Sequence, residues 1–429
     1  MAHEASVDSV DAVSDRPAQR SDRHSRAPHG SRAWRNAVFA VFFLSGLSMA
    51  TWVARIPAIR DFTGLSTQGV GLVILGMSIG SILGLVVAPL LLARWGTRVG
   101  EMLTLGIVSV GLLLIGLGGS VTPSVALVVT GLALFGFGNG AVDVIMNVDG
   151  AMAEKEIGKT LMPLMHAFFS FGTVAGAGLA VVASAIDLAV IWHFGAVAVL
   201  IAIAIVVAVR FVPRDSSSSD AKQADASAPR RPWRERLRES LSVWADSGLL
   251  LIGAIMLSMS FAEGSANDWI ALAAVDGHGY DQTTGALVFT VFTISMTVAR
   301  VLGGPVLDRF GRVAVLRVLS ATGVVGLGLF IFGTEPWMIV VGTALWAVGC
   351  SLGFPVGMSA AADDPHKSAA RVSAVAIIGY CAFLAGPPLL GFLGEHFGLL
   401  NALLVLMGLM VVAGLLAPAA REKSRRPAA

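Results

Sequence analysis

Residues 304–313, GPVLDRFGRV, and residues 89–98, PLLLARWGTR, decide the fold when they are laid over each other. At an offset of 215 residues they share a leucine (Leu92, Leu307), an arginine (Arg94, Arg309), an aromatic (Trp95, Phe310) and a glycine (Gly96, Gly311). Each stretch is a short basic interruption after the second long apolar run of its half of the chain. The same offset carries Gly138 in GFGNG onto Gly353 in GCSLGFP, within the fourth run of each half. A common offset at separate places argues for an internal repeat, which is looked for before any local motif.

Most of the chain on either side of these loops is apolar. Of 429 residues, 55% are hydrophobic and 14% charged, with a mean hydropathy of +0.78. Soluble chains carry roughly 25% charged residues, so this is a membrane composition. A helix rising about 1.5 Å per residue needs about 20 apolar residues to cross a bilayer core of about 30 Å. Runs of that kind recur at 36–59, 68–93, 101–119, 124–148, 161–186 and 189–211, then at 247–275, 284–307, 313–333, 336–361, 371–394 and 398–418. The expected fold is an all-α membrane protein of twelve transmembrane helices, arranged as two six-helix bundles with an internal repeat. The bundles span 36–211 and 247–418, flanked by polar tails (1–35 and 419–429) and joined by a polar linker (212–246). No extramembrane stretch is long and apolar enough to fold into a catalytic domain, so function is expected among the helices and no enzyme activity is expected.

Charge placement sets the orientation. Of the 30 Lys and Arg, all but Arg55, Arg60 and Arg300 fall on the side of the termini, and cytoplasmic loops retain such residues. Both termini are therefore expected in the cytoplasm, with the chain in the cell's cytoplasmic membrane. The first 33 residues lack the apolar core of a signal peptide and read as a disordered tail. In the linker, WRERLRESLSVW sets Trp233, Leu237, Leu241 and Trp244 on one helical face, as an amphipathic helix on the membrane surface does. Cys350 and Cys381 read as buried small residues within apolar runs rather than a disulfide or metal site.

The loop Gly304-x-x-x-Asp308-Arg309-x-Gly311-Arg312, on this six-plus-six plan, resembles the signature of the major facilitator superfamily of secondary transporters. The resemblance runs from about residue 36 to residue 418 and implies alternating access between the two bundles, with Asp308, Arg309 and Arg312 in a gate-locking loop. The first-half copy has Pro89, Ala93 and Thr97 where the signature has Gly, Asp and Arg. The antiporter pattern of the fifth helix is absent, since residues 172–178 read GTVAGAG. Asn147 ending the fourth run and HAFFSFG opening the fifth at His166 are similar to the fucose-permease-like branch, although the first run lacks that branch's acidic residue and carries Arg55 instead.

Energy and chemistry are constrained by what the helices hold. The nearest approach to a phosphate-binding loop, Gly158-Lys159-Thr160, has Ala153 where the first glycine belongs, so transport would run on a gradient. Neither a cofactor pattern nor metal-ligand spacing occurs. An ionisable residue at a helix centre costs roughly 2.5 to 3.5 kcal/mol, so each one within a span is a candidate functional group. Asn139, Asp143 and Asn147 recur every four residues as one polar stripe that lines a cavity or bonds a neighbouring helix. Glu263 and Asn267 share a face in the seventh run, with Asp268 and Trp269 beside them.

By depth, Arg55 and Asp268 lie near one level and form either an outer gate pair or two headgroup-seeking charges. Arg300 fits the network around the Asp308 loop. His166 suits either a proton relay or a backbone hydrogen bond. Trp52 and Trp269 suit either stacking on a sugar or an interfacial belt. Gly76, Gly80 and Gly84 suit close helix contact. With no basic residue within two turns on its own helix, Glu263 is the expected proton carrier, ahead of Asp143.

The expectation is a monomeric secondary transporter of a small polar, sugar-like solute, coupled to protons, embedded in lipid and without nucleic-acid partners. Proton-coupled efflux of drugs or amphiphilic metabolites is the nearest alternative. A non-transporting sensor or scaffold is the alternative of another class.

Overall fold

The repeat is present in the backbone at the register read from the sequence. Gly96 (φ 72°, ψ 179°) and Gly311 (φ 73°, ψ 161°) each break a long helix at matching places. A side chain would be strained at that φ, so glycine lets the chain leave one crossing and enter the next without an intervening loop. The computed structural model describes residues 29–158, 161–213, 242–363 and 368–422. The expectations for the linker between 214 and 241, including the start of its surface helix, and for the first 28 residues lie outside the described residues.

The first half comprises α1 (His29–Val53) and α2 (Ile56–Thr63), which together make the first crossing, then α3 (Thr67–Ser120), α4 (Val125–Ile157), α5 (Met162–Ala185) and α6 (Val190–Ala208). The second half comprises α7 (Ser247–Leu272), α8 (Gln282–Phe332), α9 (Pro336–Cys350), α10 (Gly353–Ala361), α11 (Ser368–Phe397) and α12 (Leu404–Leu416). Ten helical stretches among the described residues are long and apolar enough to cross a membrane. The 54 residues of α3 and the 51 of α8 each make two crossings about their glycine, and α9 with α10 makes one, which gives twelve. The first helix begins at His29, ahead of the expected residue 36, because Trp34 is buried and its indole Nε1 donates to both oxygens of Asp149 at 3.2 Å. That contact belongs to tertiary structure and leaves no mark in the apolar pattern.

Small residues hold the helices together, as they must where lipid removes the hydrophobic drive for association. A Cβ on Gly80 or Gly84 of α3 would strike the backbone of α4 at Ala133 or Phe137, and one on Gly136 or Gly140 would strike Met77 or Ser81. The close-contact reading of the glycine stripe therefore holds at Gly80 and Gly84. Of the two cysteines, Cys350 is buried and Cys381 is exposed, which corrects the expectation for the second.

Polar ties between the halves are few. Arg60 pairs with Asp276, Gln282 Nε2 donates to Asp61 at 3.1 Å, and the Gln68 amide donates to Glu395 at 3.2 Å. Deeper in, Ser78 Oγ donates to the Phe383 carbonyl at 3.1 Å. Gly71 of α3 lies so close to α11 that a Cβ would meet the Pro387 carbonyl and the Gly391 backbone. Among the described residues, every hydrogen bond or ion pair that joins the halves lies at mid-depth or on the side away from the termini. The halves are sealed there.

The DRFGR loop makes its contacts within the second bundle. Arg312 holds Asp363 through two nitrogens (2.6 and 3.1 Å) and donates to Ser359 Oγ at 2.8 Å, while its amide donates to Glu422 at 3.1 Å. Such a two-pronged guanidinium–carboxylate contact fixes orientation as well as distance. Arg309 lies over the Phe310 ring at 5.4 Å, and Asp308 is exposed.

Candidate functional site: a cavity between the bundles

The fourth and seventh crossings bring their polar residues to one space. Two adjoining lobes share Met49, Met77, Ser81, Leu85 and Tyr380 as walls. The lobe of about 210 Å³ adds Ser45, Asn139 and Asp143 from the first bundle, and the lobe of about 180 Å³ adds Ser78, Asn267 and Asp268. Asn139 and Asp143 arrive together because residues four apart on a helix share a face. Asn139 Oδ1 accepts from Ser45 Oγ at 3.2 Å and Ser48 Oγ at 3.4 Å, and its amide donates to the Phe135 carbonyl at 3.1 Å. The stripe thus does both things the sequence allowed, bonding α1 and lining a cavity.

Asp143 has Asn147 as its described partner, which donates to the Asp143 carbonyl at 2.7 Å and to its carboxylate at 3.4 Å. Asp268 is 8% exposed, and no hydrogen bond or ion pair to it is found among the described residues. No Lys, Arg or His lines either lobe. The walls therefore offer carboxylates, amide groups and hydroxyls set among Met, Leu and Phe side chains. Such a surface accepts hydrogen bonds from hydroxyl or ammonium donors and disfavours an anion.

Several expected residues are elsewhere. Arg55 does not meet Asp268; its guanidinium donates to Ser184 Oγ at 2.8 Å and to the Leu188 carbonyl at 2.7 Å, both in the first bundle. Depth and the family arrangement predicted the pair, but two nitrogens of the arginine are taken by acceptors within its own bundle, and it borders a separate space of about 350 Å³ with Asp61, Ser120 and Asp187. Trp52 and Trp269 are 2% and 0% exposed and line neither lobe, so they are packing residues rather than stacking platforms. Asn147 and His166 also lie outside the two linings, with His166 set edge-on to Phe42 at 5.2 Å and within electrostatic range of Arg300.

Glu263 is the largest revision. It is bound by Arg300 at 2.5 Å, and Arg300 Nε donates onward to the Ser351 carbonyl at 3.3 Å. The helix that carries Glu263 holds no cation within two turns of it, and the partner comes from α8 instead. Tyr380, common to both lobes, was missed. Its rarity was the available signal, since the chain has 2 tyrosines. Among the described residues no group of His, Cys, Asp and Glu has the arrangement of a metal site.

A family model described as Major Facilitator Superfamily matches residues 38–286 and 256–429. An uncharacterized MFS-type transporter of Yersinia pestis is 29% identical over 356 residues, spanning 82% of this chain and 87% of that protein. A crystal structure of a variant of the nucleoside transporter NupG matches with a TM-score of 0.74 at 13% identity, over 90% of this chain and 99% of that one. A D-xylose-proton symporter matches at 0.67 and 14% identity, over 91% and 99%. At these identities the structural likeness is one of fold.

Proposed function

Since the chain belongs to the Major Facilitator Superfamily and is a multi-pass membrane transporter, we propose that it carries a small polar solute rich in hydroxyl or amine donors by proton-coupled alternating access. The observation that carries this reading is the cavity at the bundle interface, which takes Asn139 and Asp143 from one half and Asn267 and Asp268 from the other, with no cation in its walls. A neutral polyol or a nucleoside fits these acceptors. A sugar-like solute, as the resemblance to the fucose-permease-like branch implies, remains the favoured class.

The coupling groups are Asp143 and Asp268, one carboxylate per bundle, since neither has a cation to hold its charge while solvation changes through the cycle. Glu263 is paired with Arg300 and braces the second bundle. The termini face the cytoplasm, and the sealed side faces outward, so the cavity is poised to exchange with the interior. In support of this orientation, basic residues concentrate on the terminus side. Cys substitutions at Ser217 and Gly277 should label oppositely with an impermeant reagent in intact cells, and equal labelling refutes the orientation.

Proteoliposomes with an imposed pH gradient test the function. Neutral polyols and nucleosides should accumulate and carboxylate solutes should not. Asp143→Asn and Asp268→Asn should lose uphill accumulation while retaining solute exchange, because exchange needs no net change in protonation. Undiminished accumulation in both variants removes proton coupling at these groups. Substrate-driven proton movement in the opposite sense identifies efflux instead.

A further inference from the structure

Outside the cavity, at the terminus-side end of the first bundle, two carboxyls are buried together. Glu101 of α3 and Asp149 of α4 are each 0% exposed, and they act on each other directly. Asp149 accepts from Trp34 Nε1 through both oxygens and from Thr97 Oγ1 at 3.2 Å. Neither oxygen of Glu101 has a donor. Arg32 and Arg35 on α1, Arg94 and Arg98 on α3, Asp143, Glu154, Lys155 and Glu156 on α4, and Arg210 after α6 are the other charged groups on the surrounding elements. The groups acting on the two carboxyls are instead Trp34, Thr97 and each other.

Two ionised carboxylates in contact, dry and without a cation, repel each other where the dielectric is too low to screen them. Each is also an acceptor that lacks the other's donor, and a single hydrogen supplies both needs. We propose that Glu101 and Asp149 form a proton-binding site, separate from the solute cavity, in which Glu101 carries the proton and donates it to Asp149. Asp149 holds the negative charge and is stabilised by the Trp34 indole and the Thr97 hydroxyl. The proton thereby ties the third crossing to the fourth, and through Trp34 to the first. The site takes the place of a basic side chain at the first-half copy of the signature loop, where Thr97 stands opposite Arg312 of the second half. Arg312 ties its loop to the tenth crossing through Asp363, a cation–carboxylate contact where the first half uses a proton.

Equilibrium unfolding of the purified full-length chain in mixed micelles, from about pH 6 to about pH 9, tests the site. Relative to Glu101→Gln, which supplies an amide donor to Asp149 without a titrating proton, the wild type should lose stability as pH rises. The unfolding equilibrium should shift by about tenfold per pH unit for one proton released. Asp149→Asn, which removes the other charge and offers an amide donor to Glu101, should reduce this slope. Identical slopes in the wild type and both variants overturn the proposal. So does sodium at fixed pH stabilising the wild type but not Glu101→Gln, since the occupant is then a metal cation. Infrared spectra of the folded wild type give a reading that does not depend on the variants folding. A protonated carboxyl band at neutral pH, resistant to exchange in heavy water, is expected, and its absence refutes the site.

Discussion

Replacing Glu263 by glutamine separates bracing from coupling. The carboxylate lies 2.5 Å from Arg300, which puts the charge centres about 4 Å apart. At an effective dielectric constant of about 20 that separation corresponds to about 4 kcal/mol of attraction. The Glu263 and Arg300 side chains are 16% and 35% exposed, so solvent screening lowers the usable part to about 1–3 kcal/mol. Glu263→Gln leaves the guanidinium with the Ser351 carbonyl and a neutral amide, and should destabilise the second bundle by about that amount. A Glu263→Gln, Arg300→Gln double variant should regain at least half of the loss, because no unpaired charge is left. Equilibrium unfolding in mixed micelles measures both, and uptake under a pH gradient measures transport by the surviving folded fraction. Per folded molecule, uphill accumulation should persist. If Glu263→Gln is as stable as the wild type, or if it abolishes accumulation while exchange continues, the ion pair is not what fixes Glu263, and this carboxylate is the coupling group after all.

Gly71→Val should wedge α3 from α11, because a Cβ there already meets the Pro387 carbonyl and Gly391; a reporter cysteine at Gln68 should then become more reactive to an impermeant thiol reagent, and unchanged reactivity would show that this contact does not seal the far side. Asp246 caps α7 through the Leu249 amide and pairs with Arg371. Burial pushes its carboxyl up, but Arg371 and the Leu249 and Gly248 amides outweigh this and hold it below the ordinary carboxylate range. Its contribution is therefore full above that range and is lost as pH falls through it, so Asp246→Ala should cost about 1 kcal/mol near neutrality and much less in strong acid. A destabilisation that does not shrink in acid refutes the assignment.

The fold was legible because its signals are one-dimensional. Apolar runs of bilayer length and a repeated loop survive in the order of residues, and the glycines at 96 and 311 serve as turns at the offset their positions announced. The polar stripe of α4 was legible for the same reason, since helical periodicity is itself a sequence property. What failed were statements about partners on other helices. Glu263 appeared free because Arg300 is 37 residues away in sequence, and Arg55 was matched to Asp268 by depth although Ser184, 129 residues away, takes its guanidinium. Trp34 and Asp149, 115 residues apart, were invisible for the same reason. A buried charge states that a partner exists, but the helix that supplies it is set by rotation about each helix axis, which periodicity in apolar helices determines poorly.

The distribution of partners bears on how the halves can move. Cations within the spans find partners in their own bundle: Arg55 gives two of its nitrogens to Ser184 and Leu188, Arg300 pairs with Glu263, and Arg371 pairs with Asp246 and donates to the Ala361 carbonyl. Breaking one of the ion pairs in place leaves a charge without its partner, at about 1–3 kcal/mol for Arg300 with Glu263. The charged tie across the interface lies at helix ends on the sealed side. Arg60 and Asp276 are 19% and 27% exposed, so water can replace each partner for the other, and such pairs contribute about 0–1 kcal/mol. Gly71 against Gly391 is a backbone contact with no side chain to unlock. Opening the sealed side breaks the Arg60–Asp276 pair, three hydrogen bonds and the Gly71 contact, while the pairs within each bundle stay in place. That distribution suits the proposed alternating access, in which the two halves rock against each other and the cavity carboxylates Asp143 and Asp268 change solvation during the cycle.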